Sequence, residues 1–100
     1  MEKLRPHYDL ATIKALVARL GAAAFTRTAM DGGRAMGLTT SEMLAVIAGM
    51  ERGDFFKSMT TLHDHKAWQD VYHVMTPAAK IAYIKVTMRE AAPVIQFKEK

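Results

Sequence analysis

Two hydrophobic periods divide the chain. Leu10, Ile13, Leu16, Val17 and Leu20 recur at helical spacing, with Asp9 placed to cap the start and Gly21 to end the run. A second, weaker helix is expected to begin near Thr28 and to dissolve at Gly32-Gly33 or at Gly37. The Gly32-Gly33 pair is no phosphate loop, because no strand precedes it and no lysine–serine pair follows; it reads as a turn. A third helix is expected to be capped by Thr40 or Ser41 and carries Met43, Val46, Ile47 and Met50 in an i, i+3, i+4, i+7 stripe, with Gly49 and Gly53 bracketing its end. From Asp54 the period becomes two. Strands are predicted over 55–62, 66–74, 80–88 and 94–98, with a break at Met75-Thr76-Pro77 and a turn across 90–93. Consecutive strands with short connections favour an antiparallel meander in the C-terminal half, with the N-terminal helices packed on one face. The fold class is α+β.

Strand parity separates the faces of this sheet, because side chains alternate. In the third predicted strand Ala82, Ile84, Val86 and Met88 form an apolar face that belongs under the helices, and Tyr83, Lys85, Thr87 and Arg89 point away. Ile95 and Phe97 oppose Gln96 and Lys98 in the last strand. With the faces aligned, the open side collects Lys57, Gln69, His73, Tyr83, Lys85, Arg89, Gln96 and Lys98, a set without a carboxylate. Cations suit phosphates, amides suit base edges, and rings offer stacking, so this surface fits an RNA strand. An ordinary solvated face of an antiparallel sheet would have the same alternation.

Composition narrows the field only modestly. One hundred residues allow a single domain, 1–100. The absence of cysteine excludes disulfides, thiolate metal sites and a cysteine nucleophile. The formal charge of +4 favours polyanions, but residues 1–50 hold six basic and four acidic side chains and 51–100 hold eight and six, so folding must make any positive patch. The longest apolar stretch, within 43–50, is far too short to span a membrane, and the N-terminus lacks a signal-peptide core. The chain is read as cytoplasmic.

The strand segments resemble a known family. Phe56-Lys57-Ser58-Met59-Thr60-Thr61, Asp64-His65, Trp68-Gln69-Asp70-Val71-Tyr72, Tyr83-Ile84-Lys85 and the terminal Phe97-Lys98-Glu99-Lys100 are similar to the motility quorum-sensing regulator (MqsR) toxins. Pro6-His7 followed by Leu10, Lys14, Leu16 and Val17 resembles that family's first helix. The likeness runs over essentially the whole chain, in matched order. It implies a RelE-like ribonuclease fold and the toxin of a type II toxin–antitoxin pair. It also implies a metal-independent endoribonuclease, without cofactor, that cleaves mRNA at GCU-like triplets. The implied partner is an MqsA-like antitoxin with a zinc-binding N-terminal domain and a helix-turn-helix C-terminal domain, so that DNA is contacted only through the antitoxin.

By the same resemblance the catalytic set is Lys57, Gln69, Tyr83 and Lys98, with Met59 beside it. His73, Lys85, Arg89 and Gln96 are the expected RNA contacts. Gln96 stands where serine is frequent and His73 where some members carry arginine, which touches base specificity rather than the catalytic set. Such a set implies attack by the substrate's own 2′-hydroxyl: the lysines supply charge, Tyr83 positions or protonates, Gln69 positions, and a lysine among cations is a possible base. A non-catalytic RNA-binding module and a ribosome-dependent nuclease are the alternatives. His63-Asp64-His65 has a two-residue histidine spacing but no third ligand, and reads as a turn in which His65 bonds locally. Trp68, Tyr72 and Phe97 are assigned to packing. Met30, Met36, Met43 and Met50 offer either a partner surface or core, the stripe favouring core for Met43 and Met50.

Overall fold

The computed structural model describes residues 1–100. Three helices, α1 (Leu10–Leu20), α2 (Arg27–Ala35) and α3 (Thr40–Ala48), precede strands β2 (Phe55–Thr60), β3 (Trp68–Met75), β4 (Ile81–Arg89) and β5 (Ala92–Glu99). A two-residue strand β1 (Glu2–Lys3), which periodicity is too short to detect, completes an antiparallel sheet of order β1-β2-β3-β4-β5. Turns of 3₁₀ helix cover Gly21–Ala24 and Arg52–Asp54. This is the expected α+β arrangement, helices first and meander second, and it is consistent with a RelE-like fold. No helix is long and apolar enough to cross a membrane.

Local chemistry sets the helix ends. The Asp9 carboxylate accepts from Thr12 N at 3.0 Å and Thr12 Oγ1 at 2.8 Å, and Gly21 closes α1 at φ 64°. Helix α3 is capped one residue earlier than expected. Thr39 Oγ1 accepts from Glu42 N at 3.1 Å, and Glu42 Oε1 accepts from Thr39 N at 2.9 Å. This reciprocal box needs an acid or amide three residues on, which Thr39 has; Thr40 and Ser41 face Met43 and Leu44 at that offset.

The reading of Gly32-Gly33 as a turn is wrong. Helix α2, capped by Thr26 through Ala29 N at 3.0 Å, runs straight through both glycines. Close packing explains them: a Cβ on Gly32 would lie 2.1 Å from Phe97 O of β5, and one on Gly33 would lie 2.2 Å from the Met43 sulfur of α3. The pair lets α2 lie against the edge of β5 and against α3 at once.

Strand boundaries move by a few residues. β2 stops at Thr60 because Thr61 Oγ1 bonds both Asp64 N (3.0 Å) and Asp64 O (2.9 Å), and Asp64 Oδ1 accepts from Lys66 N at 2.8 Å. His63-Asp64-His65 is thus an exposed turn, held by Thr61 and Asp64 and not by the His65 side chain. The β4–β5 connection is a two-residue hairpin, Glu90 and Ala91 at φ 51° and 65°, with Arg89 opposite Ala92.

The core lies between the helices and one sheet face. Ile13, Val17, Met43, Ile47 and Met50 pack on Tyr72, Ala82, Ile84, Val86, Ile95 and Phe97. Met36, Met43 and Met50 are buried, so the methionine series serves the core. Asp70, on the same face of β3, is 1% exposed and takes four bonds: Ser58 Oγ at 2.6 Å, Tyr8 N at 2.9 Å, and both carboxylate oxygens 3.0 Å from His7 N. Its charge is offset by these donors. Together they tie the N-terminal segment and β2 to the centre of the sheet.

Candidate active site

Strand register sorts the open face into rows. Lys57, Val71, Lys85 and Gln96 are successive cross-strand partners along one row; His73, Tyr83 and Lys98 form the next; Met59 pairs with Gln69 on the other side. The four expected catalytic residues therefore surround a floor made by Val71 and Lys85. Gln69 lies on one side along the strands and Tyr83 on the other, with Lys57 and Lys98 to left and right. Val71 is fully buried yet lies on the face away from the helices, covered by these neighbours. Adjacent rows are about 7 Å apart and strands about 5 Å, so lysine side chains on β2 and β5 can reach a ligand lying over the floor.

Tyr83 is the electrostatic centre of the cluster. Lys98 Nζ is 5.4 Å and Lys85 Nζ 6.0 Å from its ring centroid. Neither lysine has a carboxylate within salt-bridge distance; the ion pairs are Arg34–Asp31, Lys57–Glu2 and Lys80–Glu99. The expectation of a face without carboxylates fails at one point. β1 brings Glu2 onto it, opposite Met59, with Glu2 Oε1 2.8 Å from Lys57 Nζ. The hydrogen bond to Glu2 raises the Lys57 pKa and lowers that of Glu2. Lys57 is accordingly held in its charged form, the opposite of what a lysine among cations alone would do.

A bulge between Phe55 and Lys57 turns Phe56 onto the open face as well. Its ring, half exposed, stacks on His73 at 4.4 Å between centroids, and His73 in turn lies 5.4 Å from Tyr83. His73 is thus wedged between two rings. Its buried Nε2 has no hydrogen-bond partner, and burial, with help from Lys100, pushes its pKa down, which keeps the imidazole neutral at neutral pH.

Beside this cluster is a cleft of about 370 Å³, lined by Thr26, Thr28 and Ala29 of the α2 start and by Tyr83, Lys85, Gln96, Phe97 and Lys98. The residues expected at the site share one face, but not one place. Lys85, Gln96, Tyr83 and Lys98 meet at the cleft; Met59 and Gln69 lie across the floor; Arg89 is at the hairpin end, six residues and about 20 Å along β4 from Tyr83. Thr26, Thr28, Phe56 and Glu2 join the site although neither strand parity nor the family resemblance assigns them to it. Gly32-Gly33 within a helical run was the available sign that α2 approaches the sheet. No three His, Asp or Glu side chains are grouped to hold a metal ion.

Fold and site define a class of protein, a small antiparallel sheet backed by helices whose open face carries cations, a phenol and amides around one cleft. Residues 5–99 match the family model described as motility quorum-sensing regulator, toxin of MqsA. The chain is 40% identical over 100 residues to the mRNA interferase toxin MqsR of Escherichia coli (strain K12), covering 100% of both chains. The chain belongs to the motility quorum-sensing regulator toxin family.

Proposed function

We propose that this chain is an endoribonuclease toxin that cleaves mRNA on the open face of its sheet, without metal, using the substrate's 2′-hydroxyl as nucleophile. The observation that carries this reading is the placement of Lys57, Gln69, Tyr83 and Lys98 around a single floor on the face free of helices. The full-length similarity to an mRNA interferase toxin supports it. The 2′-oxygen attacks phosphorus as its proton leaves, the bond to the 5′-oxygen breaks, and that oxygen is protonated. The products are a 2′,3′-cyclic phosphate and a 5′-hydroxyl.

The site divides these tasks. Lys57, kept protonated by Glu2, is suited to neutralise the phosphorane once a phosphate oxygen takes the carboxylate's place. Lys98 has no carboxylate within salt-bridge distance, which distinguishes it from Lys57, and the role of accepting the 2′ proton is assigned to it. The Tyr83 hydroxyl donates to the leaving oxygen, and Gln69 positions the strand by hydrogen bonds. GCU-like triplets are the preferred sites. An antitoxin of the MqsA kind, with a zinc-binding N-terminal and a helix-turn-helix C-terminal domain, holds the toxin in check and makes the pair's DNA contacts; the family description names MqsA as the counterpart.

The test is cleavage of a defined RNA containing GCU and control triplets by purified protein with excess chelator and no ribosomes. A matched RNA carries a single 2′-deoxy nucleotide at the cut site. Cleavage that survives the chelator and is abolished by the deoxy substitution is the expected result. Cleavage of the deoxy substrate would refute the nucleophile assignment, and binding without cleavage would refute the nuclease reading on free RNA.

A further inference from the structure

The cleft between α2 and the β4–β5 face is larger than anchoring a phosphate requires, and its lining combines cations, an aromatic ring and neutral polar groups. Lys85 and Lys98 bring charge from the sheet, and Tyr83 offers an aromatic surface. Thr28 and Ala29 come from α2, and Gln96 brings an amide from β5. Thr26 is already engaged, its hydroxyl capping α2. Thr28 and Gln96 are exposed, and with no other protein atom bonded to the Thr28 hydroxyl or the Gln96 amide both are free to meet a ligand at the rim of a concave space next to the proposed catalytic residues.

We propose that this cleft is the base-reading pocket of the enzyme: it takes the nucleobase of a nucleotide flanking the scissile phosphate, with Gln96 and Thr28 hydrogen-bonding its edge. A side-chain amide presents a donor and an acceptor side by side, the pattern that discriminates base edges. A hydroxyl can serve either sense. A ring packed at Tyr83 leaves its own phosphate beside Lys85 and Lys98, so one nucleotide satisfies the cleft's aromatic, neutral polar and cationic parts together. A cleft of about 370 Å³ is at the small end of ligand pockets, suited to a single nucleoside rather than a longer segment.

The wall that carries Thr28 is fixed before substrate arrives. Thr26 N donates to Ile95 O at 3.1 Å, Phe25 bridges Ile95, and Gly32 packs on the backbone of Phe97 and Lys98. Such a wall can discriminate because it does not have to form around the base. The inference rests on the nuclease reading above and deepens it.

The experiment compares wild type, Gln96→Leu and Thr28→Val on RNAs that differ only in the bases on either side of the cut, each as kcat/KM. The expected result is that Gln96→Leu lowers discrimination at one flanking position at least tenfold while leaving the other unchanged, with Thr28→Val acting at the same position. A second measurement does not depend on turnover: the four nucleoside 3′-monophosphates are titrated into the wild-type protein and followed by amide NMR. The Gln96 side-chain amide and the Thr28 backbone should shift with an affinity that depends on the base. Variants that cleave with unchanged base preference, or that lose rate equally on every RNA, would overturn the pocket and leave the nuclease standing. Nucleotide-induced shifts confined to β2 and β3 would also overturn it. A wild type inactive on the whole panel would instead count against the nuclease reading, and the titration would still decide whether the cleft reads bases.

Discussion

Replacing Gly32 by alanine sets two backbone effects against each other, and the structure says which wins. Alanine is the better helix former by about 1 kcal/mol, so an exposed glycine in α2 would gain from the change. At Gly32 the new Cβ would lie 2.1 Å from Phe97 O and 3.2 Å from both the Phe97 carbonyl carbon and Lys98 Cα, where ordinary contact begins near 3.4 Å. All three atoms are backbone of β5, so no rotamer change relieves the overlap; α2 must back away by roughly 1.3 Å. Overpacking of this kind costs about 1–3 kcal/mol, and two rigid elements place it at the upper end. The net loss expected is about 2 kcal/mol, or a fall in Tm of about 8–16 °C for a chain of this size.

Two other glycines calibrate that figure. Gly53 has nothing within 4 Å of its Cβ position, and Gly53→Ala should be neutral or slightly stabilising. Gly33→Ala would press on the Met43 side chain, which can rotate within limits although it is buried, so its cost should fall between the other two. Thermal unfolding followed by circular dichroism ranks the three. A Gly32→Ala protein as stable as wild type would refute the account of why α2 carries two glycines. At a temperature where all remain folded, Gly32→Ala should also lose cleavage, because its helix forms the wall of the cleft.

Asp70→Asn should cost at least about 2 kcal/mol in urea unfolding, since a buried carboxylate that accepts from Ser58, His7 and Tyr8 is replaced by a group with one acceptor oxygen and an NH₂ facing donors; a loss comparable to an exposed substitution would refute the hub. Burial raises the Tyr72 pKa from 10 to about 12, so the folded state keeps a proton that the unfolded chain releases. The stability this contributes is complete below pH 10 and is lost as pH rises through about 12, and Tyr72→Phe should flatten that alkaline decline in denaturation measured from pH 9 to 12. Glu2→Gln removes the carboxylate that raises the Lys57 pKa, so the Lys57 ¹³Cε titration should move to lower pH with Tm nearly unchanged; an unmoved midpoint would refute the pairing.

Parity carried the site further than propensity carried the fold. The eight residues assigned to the open face share it in the structure, because antiparallel register leaves side-chain alternation no freedom once one face is buried. Two kinds of information escaped that rule. Register shifts are local: the bulge at Phe56 breaks alternation and sends two consecutive side chains to one face. Long-range approach is the other. β1 is two residues long and exists only because β2 is there to pair with, so Glu2 could not be assigned to the face from its own neighbourhood. Gly32-Gly33 departs from the expected turn for the same reason, since low helix propensity and a demand for close packing look identical in a single sequence.

The corrections converge on one edge of the sheet. An antiparallel sheet with an open basic face is flat and offers a phosphate backbone charge but little shape. β5 is the edge strand that would leave that face unbounded, and α2 supplies the missing boundary, drawn in by Gly32 and held by Thr26 and Phe25 at Ile95. The same approach that covers an unpaired edge also raises a wall beside Tyr83, Gln96 and Lys98 and turns a surface into a cleft. On the opposite side, β1 covers part of β2 and delivers Glu2 to Lys57. Protection of the two edges thus shapes the site between them: one edge cover supplies a pocket wall, and the other supplies the carboxylate that raises the Lys57 pKa. Substitutions that loosen either cover should therefore change cleavage even where they touch none of the four residues around the floor.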